Sequence, residues 1–155
     1  MRKQLNKSEI KKINKTLNEL YDLDEFFSKK DKLELEENEY KIIKKDDKTY
    51  FFYHEKLIVP TLKNVLENNF LKKTTVDMGA IKFVTSGADV MRPGIVKIDK
   101  GIKQNDVIAI VDEKHDKPLA IGIALFSSEE IKKQKSGKSI KILHYVGDKL
   151  WKEIN

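Results

Sequence analysis

Apolar positions recur along this chain first at helical spacing, then at every second residue, then in short unbroken runs. Ile10, Ile13, Leu17, Leu20 and Tyr21 fall at three- and four-residue intervals behind Ser8. This spacing predicts an amphipathic helix capped by Ser8, with Lys11, Lys12 and Lys15 on its outer face, where a solvated surface explains them better than a contact with RNA or a ribosome does. Leu23, Phe26 and Phe27 close over the same core before the charged turn Ser28-Lys29-Lys30-Asp31. From Lys32 the period drops to two. Leu33 and Leu35 alternate with Glu34 and Glu36, Tyr40 and Ile42 flank Lys41, and Tyr50 to Tyr53 form an aromatic strand behind a hairpin turn at Lys45–Lys48. Exposed aromatics can stack on unpaired bases, but a two-sided strand turns at least half of such residues inward, so the run is assigned to the core.

Leu57–Val59 predicts another strand and Pro60-Thr61 the start of a helix from Leu62 to Asn68. Beyond Lys72-Lys73-Thr74 the strands become short and closely spaced. Ile95–Ile98, Val107–Val111, Leu119–Leu125 and Ser139–Val146 are strand segments, and Ser127 or Ser128 caps a brief helix from Glu129 to Gln134 that is ended by Gly137. Many short strands interrupted by two brief helices predict a small β-barrel. The fold class is α+β: a small α/β domain over residues 1–72, then a β-barrel domain with short helices over 73–155. No linker rich in glycine, serine or proline separates them, so the two are expected to pack together.

The densest punctuation lies between Thr75 and Gly94. Asp77 is a candidate helix cap, Met78, Ile81, Phe83 and Val84 supply an apolar face, and Gly87 stands where a left-handed residue ends a helix. Arg92-Pro93-Gly94 reads as a tight turn with positive φ at the glycine. Gly79-Ala80 and Gly87-Ala88 lack bulk, which either admits a ligand close to the main chain or lets the helix lie flat on a sheet.

Charge narrows the partner. Charged residues make up 36% of the chain and the net charge is +6, shared equally by residues 1–75 and 76–155. A polyanion fits this balance, although charge alone does not say which half meets it. Arginine occurs only at Arg2 and Arg92, and the second places a multi-donor fork beside the glycine turn, suited to phosphate or a base edge. With no cysteine, disulfides, thiol catalysis and zinc-thiolate sites are excluded. The three histidines, His54, His115 and His144, have no metal-ligand spacing, so neither a metal nor a cofactor is expected. MRKQLNKSEI carries no secretory signal, and no apolar run approaches membrane-spanning length, so a soluble cytoplasmic protein is expected. Asp77 and Asp89 bracket the central helix, but capping and turn formation account for both. No phosphate loop or catalytic triad stands out, and the chain is read as a non-enzyme.

GAIKFVTSGADVMRPGIV resembles the signature of the PUA domain, an RNA-binding module named after pseudouridine synthases and archaeosine transglycosylases. Gln104–Val111 and Pro118–Ala124 continue the likeness, with Asn105 where the family usually has glycine; asparagine tolerates left-handed geometry. Upstream, FFYHEKLIVPTLKNVLENNFLKKTTVDMGAIKFV, and near the end HYVGDKLW, are similar to the malignant-T-cell-amplified-sequence family and the amino-terminal part of ligatin. Those proteins join a pre-PUA domain to a PUA domain and act in translation at the small ribosomal subunit. The resemblance implies a pre-PUA domain over 1–72 and a PUA domain over 73–155. It implies that RNA, single-stranded or with flipped-out bases, lies between the central helix with its following turn and the end of the last strand. Carried onto this chain, the site is Gly79, Lys82, Gly87, Ala88, Val90, Met91, Arg92, Pro93 and Gly94, facing Tyr145 and Gly147. Val90 and Met91 suit barrel core equally well. A secondary basic patch of Lys132, Lys133, Lys135, Lys138 and Lys141 suits phosphate positioning or plain solvation. The implied function is an RNA-binding translation factor for initiation or recycling. The alternatives are a protein-interaction adaptor docking a translation factor, or an RNA-binding accessory of transfer RNA or ribosomal RNA modification. In eukaryotic relatives a density-regulated-protein partner or fused equivalent supplies further machinery, and this sequence shows no such extension.

Overall fold

The structure, a computed structural model, describes residues 1–154 and divides the chain into two compact units, Met1–Asn64 and the residues from Val65 onward. The first unit opens with strand β1 (Arg2–Gln4) and helix α1 (Lys7–Tyr21). Strands β2 (Leu33–Glu37), β3 (Lys41–Lys45), β4 (Lys48–His54) and β5 (Leu57–Pro60) follow, and the five strands form an antiparallel meander in chain order. Helix α1 is capped by Asn6 rather than Ser8. The Asn6 side chain accepts from the Glu9 N–H at 2.8 Å and the Glu9 carboxylate accepts from the Asn6 N–H at 3.1 Å, a reciprocal arrangement that Ser8, with no acid three residues on, cannot make. Ile10, Leu17 and Tyr21 are buried as the spacing predicts, whereas Leu20 remains 44% exposed.

The hairpin between β3 and β4 turns at Asp46 and Asp47, both at positive φ, which matches the twist of the flanking strands. Phe51 and Phe52 point to opposite faces of β4 and both are buried. Phe26, Phe27, Tyr50 and Phe51 meet edge-to-face with ring centroids 4.9–5.9 Å apart. The Tyr21 hydroxyl donates to the Ile58 carbonyl, and burial pushes its pKa up.

Helix α2 (Leu62–Glu67) spans the division between the units. The second unit then runs β6 (Lys73–Val76), a 3₁₀ turn Met78–Ala80, α3 (Ile81–Val84) and β7 (Val90–Met91). A second 3₁₀ turn, Arg92–Gly94, leads to β8 (Ile95–Ile98), β9 (Val107–Asp112), β10 (Pro118–Ala124), α4 (Ser128–Lys133), β11 (Lys138–Tyr145) and α5 (Lys149–Ile154). Sheet order is β7-β11-β10-β9-β6-β8, antiparallel except for β6 against β9. The two edge strands, β7 and β8, are joined by only the three residues of the Arg92–Gly94 turn. A six-stranded sheet whose edges are tethered so closely must roll up, and the result is a nearly closed barrel. Its interior is filled by Val76, Val90, Ile108, Ile110, Ala120 and Ile140.

Asn105 sits at φ 73°, the left-handed conformation in which asparagine replaces glycine at low cost. Ser127 supplies the cap of α4, its hydroxyl accepting from the Glu130 N–H at 3.2 Å. Gly122 is required by contact: a Cβ there would lie 2.7 Å from both Ile140 Cγ2 and the Lys141 carbonyl oxygen, at a register shift between β10 and β11. Strand β1 has no apolar residue and helix α5 is only six residues long, so neither declares itself in the sequence. Asp148 caps α5, accepting from the Trp151 N–H at 2.7 Å, the Tyr145 N–H at 2.9 Å and the His144 ring Nδ1 at 2.8 Å. No helix among the described residues is long and apolar enough to cross a membrane.

Candidate functional site

At the seam where β7 turns into β8, the barrel carries a cleft of about 580 Å³. That volume lies within the usual range for a small-ligand site. One wall is the 3₁₀ turn and α3, through Gly79, Ala80, Phe83 and Val84; the other is Met91, Pro93 and Gly94. Ala88, Asp89 and Val90 close one end, and Asp77 and Lys138 complete the lining.

Local chemistry explains the shape. Asp77 caps the 3₁₀ turn by accepting from the Ala80 N–H at 2.9 Å, and its own N–H donates to the Gly94 carbonyl at 2.9 Å. These bonds hold the two walls together at the base. Gly94 does not adopt the positive φ expected of it. Its lack of a side chain matters because a Cβ would come 3.1 Å from Ala80 Cβ, tighter than ordinary contact. Gly87, at φ 88°, ends α3, and the Tyr145 ring packs where its Cβ would be, 2.9 Å from Cε1.

Helix α3 has one turn, so it can bury little. Val84 goes inward with 1% exposure, while Phe83 stays 56% exposed and Met78 39%, against the expectation that all four apolar residues share an inner face. Across the cleft Val90 is core at 2% and Met91 is 47% exposed. The Lys82 ammonium lies 5.2 Å from the Phe83 ring centroid.

Of the eleven residues named by resemblance, Gly79, Ala88, Val90, Met91, Pro93 and Gly94 line the cleft. Lys82, Gly87, Arg92, Tyr145 and Gly147 do not. Arg92 has two donors committed to the frame: Nε donates to the Ile131 carbonyl at 2.6 Å and Nη1 to the Ile95 carbonyl at 3.1 Å. It thus ties the turn to α4. Tyr145 acts as a backstop to Gly87, and Gly147 has open space around it. In the basic patch Lys132, Lys133, Lys135, Lys138 and Lys141 are all exposed, and Lys138 alone reaches the cleft, its ammonium 3.5 Å from Asp89 Oδ2.

Residue-by-residue reading overlooks Phe83 and Asp77 as site residues, because one reads as helix face and the other as cap. The usable signal is the glycine four residues after Phe83: a helix stopped that soon has no second turn to cover the ring. Among the described residues no group of three or more acidic or histidine side chains is placed to hold a metal.

The sequence profile of the PUA domain matches residues 72–146. An uncharacterised protein of Methanocaldococcus jannaschii is 45% identical over 150 residues, which is 95% of this chain and 93% of that one. Translation machinery-associated protein 20 of Saccharomyces cerevisiae is 36% identical over 138 residues, covering 83% of this chain and 76% of that protein. Among solved structures, a hypothetical protein of Pyrococcus horikoshii matches with a TM-score of 0.87 over the whole of both chains at 33% identity.

Proposed function

Because this chain belongs to the family of translation machinery-associated protein 20 and the malignant T-cell-amplified sequence proteins, we propose that it binds unpaired RNA through its PUA cleft and serves translation at the small ribosomal subunit. The observation that carries this reading is the pairing of two exposed apolar side chains, Phe83 and Met91, across a cleft that Lys138 lines and beside which Lys82 lies against the Phe83 ring. Exposed rings and thioethers beside a cavity favour a flat, partly apolar partner, and unstacked bases are such a partner. Duplex RNA is not, since the A-form major groove hides its base edges.

In this reading the cleft takes the base, and Lys82 with the lysines of α4 and β11 takes the flanking phosphates. Arg92 sets the geometry of the turn and has its remaining donors to offer RNA. Residues 1–72 form the pre-PUA domain and 73–155 the PUA domain. The protein works by binding rather than catalysis, in the cytoplasm where its RNA partners are.

Co-sedimentation with purified small ribosomal subunits across a salt series tests the proposal. Phosphate contacts predict affinity falling with salt at a log–log slope of about −0.7 for each phosphate neutralised. Absence of binding at low salt overturns the ribosomal role, and salt-insensitive binding overturns RNA contact in favour of a protein adaptor.

A further inference from the structure

We propose that the cleft admits one unstacked base, keeps the phosphates outside, and selects bases that present an amine or paired N–H groups to Asp77 over uracil. This rests on the RNA-binding reading of the same site and adds a base preference to it.

The charge inside the cleft excludes a phosphate. Its lining is apolar or glycine except for Asp77, Asp89 and Lys138. Lys138 faces Asp89 at 3.5 Å, and the other Asp89 oxygen accepts from the Ile142 N–H at 3.1 Å, so that pair is internally satisfied. Asp77 is left without a counter-charge. Its Oδ1 accepts from the Ala80 N–H, and Oδ2 accepts no hydrogen bond from any described residue. Beside it the Glu113 carboxylate accepts from the Met78 N–H at 3.3 Å, adding a second negative group. A phosphate entering here would meet negative charge in a confined, partly apolar space, where repulsion is screened less than in water. A neutral planar base is not repelled, and Phe83 and Met91 give its faces a partner.

The remaining contact is selective. An ionised carboxylate only accepts hydrogen bonds. Guanine offers N1–H and the N2 amine side by side, which fits a carboxylate bidentately; cytosine and adenine each offer one exocyclic amine. Uracil offers a single N3–H between two carbonyl oxygens, both of which a carboxylate repels. The expected order is guanine first, cytosine and adenine next, uracil last.

The test uses the full chain and fluorescein-labelled RNA nonamers, eight uridines around one central guest base, titrated by anisotropy at low salt. A guanine guest is expected to bind about tenfold tighter than all-uridine RNA, within the range a well-placed base contact supplies. Asp77→Asn keeps a good capping residue, so the fold is expected to hold, as thermal unfolding checks. Its amide both donates and accepts, and the guanine-to-uridine ratio is expected to fall severalfold while all-uridine binding is kept or improved. Equal binding of all four RNAs by the wild type overturns the base preference and leaves the RNA reading standing. A preference that survives Asp77→Asn in full overturns Asp77 as its source. Failure to bind any of the four overturns both readings.

Discussion

Phe51 and Phe83 are the same side chain in two settings, and the contrast between them separates scaffold from site. Phe51 sits mid-strand in β4 with the rings of Phe26 and Phe27 edge-on against it, and its exposure is 0%. Phe83 sits on a helix of four residues whose inward position is already taken by Val84, and its exposure is 56%. Consecutive residues of a strand can both be buried when both faces are covered, as Phe51 and Phe52 are. A single helical turn presents one narrow face inward, here Ile81 and Val84, so Phe83 on its other side is left outside. Burying apolar surface is what stabilises a fold. An aromatic ring held out of it is available to a ligand.

Substitution should reverse the two effects. Phe51→Ala is expected to cost about 3–5 kcal/mol of stability, read by denaturant unfolding. Phe83→Ala should change stability by no more than about 0.5 kcal/mol. It should instead weaken binding of single-stranded RNA by about 1–3 kcal/mol. If Phe83→Ala destabilises like Phe51→Ala, the ring belongs to the scaffold. The next effect in size tests the barrel wall. Gly122→Ala forces a methyl against the Lys141 carbonyl, and a loss of about 1–3 kcal/mol is expected from overpacking, with a lowered thermal midpoint.

Arg92 and Lys82 sharpen the same distinction among cations. Arg92→Ala strands two carbonyls that accept from it and is expected to destabilise by about 1–3 kcal/mol. Lys82→Ala should leave unfolding unchanged and make the salt slope of RNA binding shallower by about 0.7. The smallest expected effect is pH-dependent and lies in the loop after β9. Hydrogen bonds from the main-chain N–H of His115, Lys117 and Lys114 hold the Asp112 carboxyl below its usual range, against the opposing effect of burial. A depressed carboxyl stabilises the fold above its ordinary value, and the contribution is lost as pH falls through the folded value. The stability advantage of the wild type over Asp112→Asn should therefore be full at neutral pH and shrink below about pH 4, followed by thermal unfolding at a series of pH values.

The scaffold was the more legible part. Period-two alternation from Leu33, the paired aspartates of the hairpin, Asn105 in place of glycine and the buried run Val107–Val111 each leave a local mark, because each is decided by neighbours in the chain. Ser8 and Asn6 are both good capping residues, and only the acid at position 9 decides for Asn6, so the apolar spacing alone puts the cap of α1 two residues late. The cleft is less legible, for a physical reason. Whether Phe83 is covered depends on how soon Gly87 stops the helix and on what β7 and β8 bring opposite it. Arg92 likewise looks free in sequence, since its acceptors, the carbonyls of Ile131 and Ile95, carry no residue-type signal. Motif likeness supplied the neighbourhood of the cleft, and geometry sorted its members into lining and frame.

The tether between β7 and β8 also has a bearing on how the molecule folds. These strands are nearest neighbours in sequence but occupy opposite ends of the sheet order, so neither can template the other. One edge waits for β11, the last strand to be synthesised, and the other for β6 and its parallel pairing with β9. Both walls of the cleft lie within residues 77–94 and are tied at the base by the Asp77–Gly94 bond, but Lys138 and the strand that fixes β7 arrive only with β11, so the finished cleft depends on non-local contacts. RNA-binding capacity should appear in refolding no earlier than the last kinetic phase, which makes the ligand itself a reporter of the finished barrel.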